Sequence, residues 1–162
     1  MVLYCYIWKD DNMKKVLYLC CGIVGFSLLT GCGGKTLKCT RENDIPDEQM
    51  KMNQVLNISF KGDKASNLVF KMDVTFDNEL IENNPTIVDD LSGTAGSEFD
   101  NIKNQRGISY SMSKKSDGFS SKLKINFDKV DNETKKKIYL INHQSSYSTV
   151  KSNLEKDGYS CR

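Results

Sequence analysis

Apolar and polar residues alternate along two neighbouring segments in the middle of the chain. The apolar positions of the first segment are Met50, Met52, Leu56, Ile58 and Phe60, with polar Gln54 interrupting the row. Those of the second are Leu68, Phe70, Met72, Val74 and Phe76. A period of two is typical of a strand with one buried face, and the intervening Lys61-Gly62-Asp63-Lys64 is typical of a turn. The pattern predicts an antiparallel β-hairpin.

A second hairpin is predicted further along the chain, after Gly107. Its first strand carries the apolar residues Ile108, Tyr110 and Met112, and its second carries Phe119, Leu123, Ile125 and Phe127. Ser116-Asp117-Gly118 between them is a turn signal. The segment 36–40 is predicted to be a short first strand.

Two segments have helical rather than strand spacing. Asn84-Pro85 is typical of an N-cap followed by Pro at the first helical position, and Gly107 is a natural end point. Apolar residues recur between them at intervals of three to four, namely Ile87, Val88, Leu91, Ala95, Phe99 and Ile102. The run Ser92-Gly93-Thr94-Ala95-Gly96 is expected to weaken this helix or to split it. A final amphipathic helix is predicted from Tyr147, Val150 and Leu154, with Gly158 as its C-terminal cap. A turn or helical fragment is predicted to begin at 131–134.

The order hairpin, helix, hairpin, helix predicts an α+β fold. We expect an antiparallel β-sheet built from two hairpins, with two helices packed on one face. Segment 36–162 has the length of a single domain.

The chain begins with a segment of a different character. Met13-Lys14-Lys15 precedes an apolar stretch over 16–29, which is shorter than the roughly 20 residues of a transmembrane helix. This arrangement indicates a signal peptide over 1–31, with an uncleaved anchor helix as the alternative. The acidic pair Asp10-Asp11 is unusual before the lysines, so Met13 is an alternative start of translation.

The end of this leader carries a recognisable motif. Leu29-Thr30-Gly31-Cys32 resembles the lipobox of bacterial lipoproteins. The resemblance implies transfer of a diacylglyceryl lipid to the Cys32 thiol and cleavage after Gly31. Residues 32–35 would then be a short lipidated tether, and the protein would be anchored in the cell membrane on its extracytoplasmic face. Two acyl chains give a stable hold that one chain does not.

The chain has six cysteines, and their positions divide them. Cys5, Cys20 and Cys21 fall within the leader, and Cys32 would carry the lipid. Only Cys39 and Cys161 would then keep their thiols, in a compartment where two such thiols most often pair. We predict a Cys39–Cys161 disulfide, with two free thiols as the alternative.

Charge and candidate chemistry narrow the function only slightly. Lys and Arg number 23 against 21 Asp and Glu, a balance that does not indicate a nucleic-acid partner. His143 is the only histidine, and no nucleophile motif surrounds it, so we interpret it as a surface loop residue. Adjacent helical residues point about 100° apart, so Asp89 and Asp90 are not expected to converge. We predict no catalytic residue, metal ligand or cofactor.

Several segments together resemble a known group of proteins. They are the lipobox, the opening Lys35-Thr36-Leu37-Lys38-Cys39-Thr40, the turn Lys61-Gly62-Asp63-Lys64, and the ending Leu154-Glu155-Lys156-Asp157-Gly158-Tyr159-Ser160-Cys161. These segments resemble small lipoproteins of low-GC Gram-positive bacteria and, more distantly, the YehR-like lipoprotein family. The resemblance implies an α+β domain of undetermined function and transfers no catalytic residue.

Two classes of function follow from the sequence. The first is a non-catalytic binding or interaction module at the cell envelope, whose partner would be an envelope protein, a wall polymer or a small ligand. The alternative is an envelope enzyme or enzyme accessory. A pocket with converging polar groups would favour the enzyme. A filled core under a flat, exposed sheet would favour the binding module.

Overall fold

The sheet of this α+β protein has six strands, all antiparallel to their neighbours. The computed structural model describes residues 34–97, 99–138 and 140–162. The strands are β1 Thr36–Ile45, β2 Met50–Lys61, β3 Lys64–Phe76, β4 Ile108–Lys115, β5 Gly118–Asn126 and β6 Ser160–Cys161. The helices are α1 Asn78–Asn83, α2 Ile87–Ser97, α3 Asn132–Lys137 and α4 Tyr147–Lys156, with a 3-10 turn at Pro46–Glu48.

The strand order is β4-β5-β3-β2-β1-β6, so the two hairpins lie side by side through β3 and β5. Both predicted hairpins are confirmed: β2 pairs with β3, and β4 pairs with β5. Gly62 adopts a φ of 62° in the first turn, a conformation that glycine reaches without a steric penalty.

The first strand is longer than the sequence predicted. β1 continues to Ile45 and pairs with β2 from Thr36 opposite Ser59 to Ile45 opposite Met50. Its second half lacks the alternating row of large apolar residues from which a strand is predicted. It forms a strand because pairing with the long β2 strand satisfies its backbone N–H and C=O groups. The sheet therefore consists of two hairpins extended by β1 and the short β6.

The hydrophobic core lies on one face of the sheet. Alternate residues of the strands are buried there against residues from α4 and from the segments after α2 and α3. The sheet contributes Leu37, Leu56, Ile58, Phe60, Leu68, Phe70, Leu123 and Ile125, and the other segments contribute Phe99, Ile102, Ile138, Ile141, Val150 and Leu154. Because alternate strand positions share a face, one row of each strand fills this layer.

A smaller cluster extends this layer toward the other end of the sheet. Val74, Phe76 and Phe119 pack there against half-buried residues of α1 and α2, namely Leu80, Ile81, Ile87, Val88 and Ala95. Residues from all four helices or their flanking segments thus pack on the same face. The prediction of helices on one face is confirmed, although the structure has four helices where two were expected.

The prediction of one helix starting at Asn84 is wrong. Asn84 ends α1: its N–H donates to the Leu80 carbonyl at 2.8 Å, and its φ of −141° and ψ of 79° lie outside the helical region. A residue before proline normally avoids the helical region, because the ring of Pro85 clashes with it there. The next helix begins at Ile87 and ends at Ser97. Phe99 and Ile102 are buried in the turns that follow it.

The helix boundaries near the C-terminal end match the sequence signals. Gly158 has a φ of 86° and ends α4 as predicted. The N–H of Tyr159 donates to the Leu154 carbonyl at 2.9 Å, and that of Gly158 donates to the Glu155 carbonyl at 3.2 Å. This pair of bonds is the Schellman motif. At α3, the Asp131 side chain accepts from the Thr134 N–H at 2.8 Å, and this bond lowers the pKa of Asp131.

Candidate functional site

The lipobox residues Leu29, Thr30, Gly31 and Cys32 lie outside the described residues. The described chain starts at Gly34 and enters the sheet beside the β2–β3 turn. There the Lys35 carbonyl accepts a hydrogen bond from the Phe60 N–H at 2.8 Å. No helix among the described residues is long and apolar enough to cross a membrane.

The predicted disulfide between Cys39 and Cys161 is present. Cys39 is fully buried in β1, and Cys161 is its register partner in β6. Two backbone hydrogen bonds of 3.0 and 2.9 Å join Lys38 and Arg162 immediately beside it. The disulfide therefore holds the end of the chain against the edge of the sheet.

Gln54, the polar residue that interrupts the apolar row of β2, lies close to this disulfide. Its side-chain oxygen accepts from the Tyr159 hydroxyl at 2.7 Å and from Arg41 Nε at 3.0 Å. The Arg41 guanidinium also lies 4.8 Å from the centre of the Tyr159 ring and donates to the Asp157 carbonyl. Burial raises the pKa of Tyr159, while Arg41 acts in the opposite direction. These contacts join β1, β2 and the segment after α4, so their role is structural.

His143 lies in a loop, as predicted, but it is half-buried. Its ring stacks on Phe127 with the ring centres 5.4 Å apart, and its carbonyl accepts from the Ala65 N–H. Burial lowers the pKa of His143, and the nearby positive charges of Lys135 and Lys64 lower it further. An open cleft of about 600 Å³ borders this loop. His143 contributes packing there.

The neighbouring carboxylates of α2 point to different partners, as expected. Asp89 forms a 2.6 Å ion pair with Lys114 of β4. Asp90 accepts a hydrogen bond from the Thr86 hydroxyl at 2.9 Å. Within the ranges that the structure describes, no three His, Cys, Asp or Glu side chains come together as a metal site would require.

The face of the sheet opposite the core, which we call the open face, is polar. The strand positions that alternate with the core residues are mostly Lys, Ser, Thr, Asn and Asp. The buried strand residues lie on the other face, where they pack against the buried helix residues. A filled core under a broad exposed sheet is the arrangement that favours a binding module.

Lysines converge at the centre of the open face. Lys71 of β3 is directly opposite Lys122 of β5, and Lys124 follows on the same side of β5. Ser111 and Ser109 of β4 are the register partners of these two β5 lysines. Like charges directly opposite each other destabilise a sheet. This arrangement therefore has a stability cost that the fold itself does not require.

A groove continues this basic surface toward the start of β4. Its lining is mixed, and its open volume is about 650 Å³. The basic residues are Arg106, Lys124 and Lys129, the polar ones Asn67, Ser109 and Asn126, and the apolar ones Leu68, Val69, Ile108 and Ile125. We call this groove with Lys71 and Lys122 the basic groove.

Gly107 fixes the local shape of the groove. It has a φ of 87°, and a Cβ there would lie 2.8 Å from the Cβ of Lys129 and 3.0 Å from the Asn126 carbonyl oxygen. The Gly107 carbonyl accepts from the Asn126 N–H at 2.8 Å. This close contact of two backbone segments brings Arg106 and Lys129 to the same groove.

Comparison with known proteins adds a fold relationship. No family model and no curated protein matches the chain. Among solved structures, the chain is similar to the NMR structure of a protein from Streptococcus pneumoniae TIGR4, with a TM-score of 0.52 and 12% identity. The match covers 100% of this chain and 93% of the other. This likeness concerns the fold alone.

Proposed function

We propose that the protein is a lipid-anchored lipoprotein of the extracytoplasmic membrane face, whose domain is a non-catalytic binding module. The observation that carries the binding role is the six-stranded sheet, with one face filled by the core and the other exposed as a polar surface. Broad surfaces of this kind suit the recognition of a protein or a polymer, whereas small-molecule sites are usually concave and mostly apolar.

Two features of the chain support its location. The first is the lipobox-like sequence Leu29-Thr30-Gly31-Cys32 after a charged and apolar leader. The second is the disulfide Cys39–Cys161, since disulfides persist in exported proteins and are rare in the reducing cytosol. Under this proposal the lipid on Cys32 holds the domain a few residues from the membrane.

Metabolic labelling with a fatty acid tests the anchor. Cys32→Ala should abolish incorporation of label and leave an unprocessed precursor, because this thiol is the proposed lipid acceptor. Cys21→Ala is the matched control, since it removes a leader thiol outside the motif and should leave labelling intact. Protease treatment of intact spheroplasts should digest the wild-type domain, which would place it on the outer face.

The anchor proposal is contradicted if Cys32→Ala still takes up the fatty acid and matures normally. It is also contradicted if the domain resists external protease in intact cells but is digested after lysis. The first result would remove the anchor at Cys32, and the second would remove the extracytoplasmic location. The binding role is argued from the sheet and would stand in both cases.

A further inference from the structure

The acidic residues of the open face are confined to one end, whereas lysines occur at both ends, with Lys51 and Lys115 at the acidic end. The acidic residues are Glu42, Asp44 and Asp73, and Asp44 is 4.0 Å from Lys51. The basic groove occupies the other part, with Asp73 two residues from Lys71 at its boundary. In the part of the chain that the structure describes, no carboxylate forms an ion pair with Lys71, Lys122 or Lys124. The exposed positive charge is therefore open to an external anion.

The spacing of these cations suits a chain of anions. Lys122 and Lys124 are separated by two residues of one strand, or about 6.6 Å. Lys71 stands across from Lys122 on the neighbouring strand, about 5 Å away. Arg106 and Lys129 continue the positive charge along the groove. A linear polymer with a charge on each repeat would contact these cations in succession.

The chemistry of the surface indicates which class of polymer it would bind. Proteins that bind single-stranded nucleic acid stack bases on aromatic side chains. The described strand positions of the open face carry none. Their neutral groups are mainly the hydroxyls and amides of Ser, Thr and Asn, with Val55 opposite Lys71 and Val69 opposite Lys124. These groups suit a polyol, whose hydroxyls both donate and accept hydrogen bonds. A flat bilayer would not enter a groove, whereas a flexible chain would.

We infer that the basic groove binds a linear polyol phosphate polymer of the cell wall. Lys71, Lys122, Lys124, Arg106 and Lys129 pair with successive phosphodiester groups, and Asn67, Ser109 and Asn126 hydrogen-bond to the polyol units. This inference rests on the proposed function, because the extracytoplasmic location places the groove in the same compartment as the polymer. The phosphate chain neutralises the repulsion between the cross-strand pair Lys71 and Lys122.

Binding of a synthetic glycerol phosphate oligomer to the full chain, purified in nonionic detergent, tests this assignment. We expect saturable binding that weakens as salt rises, and no binding of an uncharged polyglycerol. The double substitution Lys122→Gln/Lys124→Gln should weaken binding by about tenfold. Lys136→Gln/Lys137→Gln on α3 removes the same charge from another surface and should leave binding unchanged.

The thermal stability of a Lys71 variant tests the repulsion between Lys71 and Lys122. Lys71→Glu places opposite charges on the cross-strand pair, so it should raise Tm by about 1–4 °C while weakening binding of the oligomer. A substitution that acted only by disturbing the fold would lower both. A rise in Tm without weaker binding would contradict the role of Lys71.

Three results would overturn the inference. They are no saturable binding of the oligomer, an equal loss for the two double substitutions, and equal or tighter binding of a single-stranded oligonucleotide. Micelles doped with phosphatidylglycerol test the membrane as the source of phosphate. If doping removes oligomer binding by the wild type, the surface prefers the lipid headgroup and the polymer assignment is wrong.

Failure of this inference is distinguishable from failure of the proposed anchor. If the protein incorporates fatty acid at Cys32 but does not bind the oligomer, the polymer assignment is wrong and the anchor proposal stands. If the protein binds the oligomer through Lys122 and Lys124 but is not lipidated, the anchor proposal is wrong and the polymer assignment stands.

Discussion

Cys39 and Cys161 are register partners in adjacent antiparallel strands as well as disulfide partners, and their Cα atoms lie 4.1 Å apart. They are 122 residues apart in the sequence, so the bond joins the first strand to the end of the chain. β6 is only two residues long. Because so short a strand makes few backbone hydrogen bonds, the disulfide adds a covalent link that keeps it on the sheet.

Removing the disulfide should destabilise the domain without changing its fold. We expect Cys39→Ala/Cys161→Ala to lower the free energy of unfolding by about 2–4 kcal/mol, since the bond restricts the unfolded chain over a long loop. Denaturant unfolding measures this change. Wild-type protein treated with a reducing agent is the control and should show a similar loss. Two alkylatable thiols in the native exported protein would contradict the prediction.

The hydrogen bond from Tyr159 to Gln54 should contribute measurably to stability. Tyr159→Phe removes the donor to the Gln54 side-chain oxygen and should lower the free energy of unfolding by about 0.5–1.5 kcal/mol. Tyr147→Phe is the matched control, because its ring packs against Phe60 while its hydroxyl makes no hydrogen bond among the described residues. A double-mutant cycle with Gln54→Leu should show coupling. Equal effects of the two Tyr→Phe substitutions would contradict this role.

Two glycines should respond to alanine in opposite directions. A Cβ at Gly118 would lie 2.0 Å from the Val74 carbonyl oxygen, so Gly118→Ala forces β5 and β3 apart and should cost about 1–3 kcal/mol or more. A Cβ at Gly93 in α2 meets nothing within 4 Å. Gly93→Ala should stabilise the helix by about 0.4–1 kcal/mol. Thermal unfolding of both variants checks the pair, and a stable Gly118→Ala variant would contradict the packing of β5 on β3.

Protonation of His143 should destabilise the folded protein. Burial and the charges of Lys135 and Lys64 hold its pKa below the ordinary value of 6.5. The unfolded state therefore binds a proton first as pH falls, and stability is lost from about pH 6.5 down through the folded-state pKa. His143→Gln removes this contribution, so its stability should fall less than that of the wild type between about pH 7.5 and pH 5.5. Parallel losses in both proteins would contradict the prediction.

The local pattern of the sequence was sufficient for the hairpins and for several element ends. The alternation from Met50 to Phe76 predicted β2 and β3, because a strand with one buried face repeats every two residues. Gly158 predicted the end of α4 for a similarly local reason. The pairing of Cys39 with Cys161 followed from counting the thiols that would remain after the proposed export and lipidation. These inferences did not depend on which strands are neighbours in the sheet.

The helix between the hairpins shows where local pattern was insufficient. Leu91 has helical spacing with the other apolar residues but is 37% exposed, while Ser92 is 1% exposed. The hydroxyl of Ser92 donates to the Asp89 carbonyl, so its burial costs little. How α2 is rotated on the sheet depends on the surfaces of distant strands, and the spacing within the helix does not contain that information.

The candidate groove depended on tertiary structure for the same reason. The sequence by itself determined that Lys71, Lys122 and Lys124 alternate with core residues and so lie on the polar side of their strands. Only the fold decided that β3 and β5 are neighbours and that Lys71 therefore faces Lys122. Alternation is a property of one strand and is set by its local geometry. Strand order arises from contacts between residues far apart in the chain, which form only when the whole core packs.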